Sequence, residues 1–174
     1  MTPASASFGA GFPGAVRRLT TIWAILGGVV LFAVVCINMI SVLGGIVGHP
    51  FPGDFELTEM GVAVAVFAFL PYCQSVGANV TADIFTSGLR PRAIALLTLV
   101  GSLIALAFAL LLIWRMYFGM MDQRSYDYMT AILQIPIWCA YVPVLISLAL
   151  LALAALASVI EDLSGTSRGD GAHV

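Results

Sequence analysis

Residues 93–114 read AIALLTLVGSLIALAFALLLIW, a run from Ala93 to Trp114 without a single Asp, Glu, Lys or Arg. As an α-helix rising about 1.5 Å per residue, this run extends about 33 Å, enough to cross a bilayer hydrocarbon core about 30 Å thick. Three more windows are free of charged residues: 19–53, 60–82 and 128–160. Each is long enough for one crossing, and the charges cluster between them, as they must when a charge at the bilayer centre costs about 3 kcal/mol on insertion scales. Backbone groups in lipid must be paired within a helix or around a closed barrel. Barrel strands are about 10 residues long and alternate in polarity, which these windows do not. The fold expected is an all-α membrane protein with four transmembrane helices, at about 20–46, 57–78, 93–115 and 133–160. They form one domain, 17–163, between tails 1–16 and 164–174 whose composition reads as disordered.

Composition agrees with this reading. The chain is 61% hydrophobic and 9% charged, against about 25% charged residues in a soluble domain, whose surface has to stay wetted. Its mean hydropathy is +1.05. All seven basic residues are Arg, set against nine acids, so no basic face exists to grip nucleic acid. Cys36, Cys73 and Cys139 fall in three different spans, outside any CxxC or Cys/His grouping, and read as small buried hydrophobes. No metal or cofactor is expected.

Arg17-Arg18 precede the first apolar run, which is longer than the roughly 7–15 residues of a secretory h-region and lacks a persuasive cleavage site. An uncleaved first helix is expected. Arg17, Arg18, Arg90, Arg92 and Arg168 then share one side of the membrane and only Arg115 and Arg124 the other. Positive charge stays inside, which places both termini in the cytoplasm. Trp114, Tyr117, Phe118, Trp138 and Tyr141 make an outer aromatic belt, and Trp23 marks the inner edge of the first span.

The polar residues beside the spans are the candidates for function. Asp54 reads as an N-cap, with Glu56 and Glu59 in the first turn, either favoured by the helix dipole or set to meet a partner. Thr81 or Asp83 can cap a short interfacial segment, and Arg90 and Arg92 suit lipid phosphates or another subunit. Pro71 and Pro143 should kink their helices, while Pro136 reads as a first-turn proline. Gly101, Ala105 and Ala109 recur at four-residue spacing, as do Gly61 with Ala65 and Gly44 with Gly48; such stripes let helices approach closely in lipid. The candidate subunit or lipid interface is therefore Glu56, Glu59, Asp83, Arg90, Arg92, Gly101, Ala105 and Ala109.

The spans hold no ionisable group near mid-membrane that would couple an ion to a solute; Asn38, Gln74 and Gln134 are their most polar side chains. The histidines, His49 and His173, lie in a loop and a tail, away from where haem ligands belong. No Ser-His-Asp set or internal carboxylate pair supports an enzyme. An accessory subunit fits best. A membrane anchor for a redox enzyme and a small exporter acting alone as an oligomer are the alternatives.

Several motifs carry a family resemblance. Pro50-Phe51-Pro52-Gly53-Asp54-Phe55-Glu56-Leu57-Thr58-Glu59 leads to Phe69-Leu70-Pro71-Tyr72-Cys73-Gln74, then to Gly77-Ala78-Asn79-Val80-Thr81-Ala82-Asp83, and finally to Gln134-Ile135-Pro136-Ile137-Trp138 with Tyr141. In this order and spacing, from about Arg17 to Glu161, the chain resembles the DctQ-like small permease, the small membrane subunit of tripartite ATP-independent periplasmic (TRAP) transporters. Asn79 departs from the pattern, since relatives often carry His there, whereas Asp83 matches. The resemblance implies a non-catalytic scaffold in a bacterial inner membrane. Its partners are a large permease subunit, which holds the substrate and sodium sites, and a periplasmic solute-binding protein. That protein delivers an organic acid, commonly a carboxylate, for ion-gradient-driven uptake.

Overall fold

The computed structural model of the chain describes the backbone of residues 8–76 and 91–168 and the side chains of residues 14–76 and 97–160. Among the described residues there are four helices: α1 (Phe8–Ile46), α2 (Asp54–Ser75), α3 (Pro91–Ser125) and α4 (Trp138–Arg168). Each contains a stretch long and apolar enough to cross a membrane. Among the described residues the one extended feature is an isolated bridge between Met129 and Pro136. The all-helical, four-span architecture is as expected.

The ends differ from expectation in ways that have local causes. Helix α1 starts at Phe8 and α4 reaches Arg168, so both run into the segments read as tails, 1–16 and 164–174. Extending an existing helix costs little compared with starting one. Helix α3 continues past Arg115 to Ser125, because a charge marks the edge of the lipid and not the end of a helix. At about 52 Å it is longer than the hydrocarbon core is thick. Helix α4 begins at Trp138, five residues after 133, since the residues before it fold into a hairpin. Pro136 therefore precedes the helix and pairs with Met129 instead of opening the first turn. Helices α2 and α4 both run on past their internal prolines, Pro71 and Pro143.

Gly44 and Gly48 have a different use from the one their spacing implies. Gly48 has φ of 84°, the N–H of His49 donates to the Gly44 carbonyl at 2.8 Å, and the N–H of Gly48 donates to that of Gly45 at 3.2 Å. These paired bonds, with glycine in the left-handed position, form the Schellman motif that ends a helix. The two glycines stop α1; they do not form a helix-packing stripe.

Helices α1, α2 and α4 pack on one another, whereas α3, among the described helices, packs against α4 alone. The fold is thus a three-helix core with α3 attached along one side. Small residues let the core close. Ala65, Ala68, Ala154 and Ala155 are buried, and a Cβ on Gly27 would lie 2.7 Å from that of Ala68. A Cβ on Gly61 would collide with Val34. Without a hydrophobic drive between helices in lipid, this backbone proximity and its van der Waals contacts hold α1 against α2. The Gly61 and Ala65 stripe is used as expected.

Candidate functional site

Polar side chains fasten the core at both ends. Trp23 Nε1 donates to Ser147 Oγ at 2.9 Å, joining α1 to α4, and Ser147 is fully buried. Trp23 is thereby an inter-helix tie as well as an aromatic near the end of its span. Thr20 Oγ1 donates to Ser75 Oγ at 3.0 Å and links α1 to the far end of α2. Asn38 Nδ2 donates to Thr58 Oγ1 at 2.6 Å, and Thr58 passes its own proton to the Asp54 carbonyl at 2.7 Å. Asn38, one of the most polar groups in the spans, is thus committed to structure.

The start of α2 is the most constructed part of the molecule. Gly53 precedes it with φ of 84° and has no side chain to cap the helix. Asp54 is the first helical residue and not the N-cap: its carboxylate accepts the Phe55 N–H at 2.8 Å and the hydroxyl of Ser41 on α1. A left-handed glycine occupies the capping position, and Asp54 is drawn toward α1 instead. Two residues on, Glu56 reaches across to the segment between α3 and α4. Its two oxygens accept the N–H groups of Ile132 at 2.7 Å and Leu133 at 3.0 Å. Bidentate acceptance by a carboxylate is among the stronger arrangements available to backbone amides.

What Glu56 holds is a short hairpin. The Ile137 N–H donates to Tyr128 O and the Thr130 N–H to Ile135 O, each at 3.0 Å, and the Ile135 N–H donates to Thr130 Oγ1. Two non-glycine residues take left-handed conformations, Asp127 with φ of 48° just before the hairpin and Gln134 with φ of 52° in its turn. Leu133 is seated against Gly53, so a Cβ there would lie 2.5 Å from Leu133 Cγ. Behind the hairpin, Arg124 stacks 5.7 Å above the Trp138 ring, a cation–π contact, and Trp114 meets Phe118 edge-on at 5.5 Å.

The remaining candidates separate. Glu59 is exposed and has no hydrogen bond or ion pair among the described residues. It stands at the mouth of a cleft of about 520 Å³ between α2, α3 and α4. Ala109 is fully buried and Ala105 half-buried, but Gly101 is exposed with nothing within 4 Å of where its Cβ would be. The α3 stripe is therefore only partly consumed within the chain. Asp83 and Arg90 lie outside the described residues, and Arg92 is described only as backbone in the first turn of α3. Sequence reading missed the hairpin and the Trp23–Ser147 tie. The Pro52-Gly53 pair just before the acidic turn was the available signal for a special backbone conformation there.

Residues 31–165 match the family model described as tripartite ATP-independent periplasmic transporters, DctQ component. The match runs from the middle of α1 through most of α4, including the Asp54–Glu59 turn and the hairpin it grips. The chain belongs to the DctQ family. Comparisons with curated proteins and with solved structures returned no match. As a DctQ component, it is a multi-pass membrane protein and the small membrane subunit of a TRAP transporter, and the DctQ family is a family of transporter components. DctQ components work in a complex with a large permease subunit and a periplasmic binding protein.

Proposed function

We propose that this chain is the non-catalytic scaffold of a TRAP-type secondary transporter in a bacterial inner membrane, with both termini cytoplasmic. It supports the large permease subunit during ion-gradient-driven uptake of an organic acid, a carboxylate, delivered by the periplasmic binding protein. One observation carries the reading beyond family membership: windows 19–53, 60–82, 93–114 and 128–160 hold no charged residue, and Asn38, inside the first of them, is spent on Thr58. A subunit that itself moved an ion with its solute would keep a polar or ionisable site in mid-membrane. Helix α3 supports a scaffold role too, since among the described helices it packs against α4 alone and its Leu103, Ile104, Phe108 and Leu111 are exposed. We assign the partner or lipid contacts to Asp83, Arg90 and Arg92 at the cytoplasmic end and to the Gly101–Ala105 face of α3, with Glu59 at the other end.

Deleting this subunit while keeping the other two should abolish sodium-dependent uptake of the carboxylate. Undiminished uptake without it would refute the supporting role. A reporter fused to the C-terminus should be active only in the cytoplasm.

A further inference from the structure

The cleft beside Glu59 has a length and a charge that select its occupant. Its α2 wall runs from Glu56 through Glu59, Met60 and Ala63 to Phe67, about 16 Å of helix. Its α4 wall ends at Val144, two turns below the start of that helix. A hydrocarbon core about 30 Å thick is nearly twice that depth, so the cleft reaches through about one leaflet, the one on the hairpin side. A transmembrane helix runs the full thickness and would overshoot it, whereas a lipid chain belongs to one leaflet.

The walls are apolar, with Met60, Phe67 and Val144 facing Met116 of α3 across the gap. The mouth is anionic. Glu56 is already engaged by two backbone amides, which leaves Glu59 as the carboxylate free to meet a ligand. We propose that this cleft binds one phospholipid of the hairpin-side leaflet, with an acyl chain between α2 and α3 and an amine headgroup of the phosphatidylethanolamine type on Glu59. A headgroup carrying only phosphate would bring like charge to the carboxylate. A primary ammonium supplies the opposite charge where water is scarce and the pairing is less screened. Seated there, the lipid fills the gap that α3 leaves by packing on α4 alone, and it does so whichever solute the transporter carries.

The test uses the full chain purified in mild detergent, offered equal amounts of phosphatidylethanolamine and phosphatidylglycerol and read by native mass spectrometry. Wild-type chain should retain one phosphatidylethanolamine with a preference of about fivefold, the scale of one interfacial charge contact. Glu59→Gln, which breaks no hydrogen bond or ion pair among the described residues, should bring the preference close to unity. Ala63→Phe, at an exposed position on the α2 wall, should displace both lipids. Equal retention of the two lipids by the wild type would overturn the proposal, as would retention unaffected by either substitution. So would an efficient cross-link in the assembled transporter between a cysteine at position 63 and a helix of the large subunit, which would make that helix the occupant.

Discussion

Replacing Gly53 with alanine separates two physical costs that meet at one residue. Gly53 has φ of 84°, and an alanine held in that left-handed region loses about 1–2 kcal/mol relative to its preferred backbone. Its new Cβ would also lie 2.5 Å from Leu133 Cγ and 2.7 Å from Leu133 Cδ1, both closer than van der Waals contact permits. Leu133 can turn part of the way aside, but its N–H is held by Glu56, so the hairpin must shift with it. Overpacking of this kind costs about 1–3 kcal/mol. Gly53→Ala should thus destabilise by about 2–5 kcal/mol. Gly48→Ala is the internal control: φ is again 84°, yet nothing lies within 4 Å of the added Cβ, so only the backbone cost of about 1–2 kcal/mol applies. The assay is denaturant unfolding of the purified chain in detergent micelles, followed by tryptophan fluorescence. Adding Leu133→Ala should recover part of the Gly53→Ala loss and leave Gly48→Ala unchanged, a coupling of at least about 0.5 kcal/mol. If the two glycine variants unfold alike and neither couples to Leu133, the packing of the hairpin on α2 is refuted.

Other consequences follow from the same contacts. Glu56→Gln retains one acceptor oxygen for two donors, so the Ile132 and Leu133 amides should exchange hydrogen faster, whereas Glu59→Gln should leave them unchanged. Trp23→Phe keeps an aromatic side chain, though a smaller one, and removes the donor to Ser147; loss of the bond alone should cost about 0.6 kcal/mol and at most about 1.7, the average and maximum for interhelical hydrogen bonds in a membrane bundle. Gly61→Leu, driven against Val34, should lower stability by about 3 kcal/mol and part α1 from α2. Gly101→Leu meets open space and should leave the stability of the isolated chain unaltered, but reduce co-purification with the large permease subunit.

How much of this was legible beforehand depends on the kind of information involved. Helix α3 was visible in residues 93–114 because a charge in hydrocarbon is penalised wherever it points, and that penalty needs no knowledge of neighbours. The same rule located all four spans, and the motif order pointed to the family that residues 31–165 match. It also missed that α3 extends to Ser125, because the charges that end a lipid-facing stretch do not end a helix.

Partners across the fold were not legible in this way. Glu56 and Glu59 are one turn apart with the same chemistry, yet one grips a hairpin some 76 residues later and the other faces an open cleft. Gly61 is pressed against Val34 while Gly101 meets nothing, although both sit in small-residue stripes. In water, the buried face of a helix shows itself by contrast with a polar one, but a helix in lipid is apolar on every side and that contrast is gone. The amino-acid order thus determined where the chain crosses the membrane. Only the packed structure decided which small residues touch and which acid stays free, because close approach in lipid depends on shape matched between segments far apart in the chain.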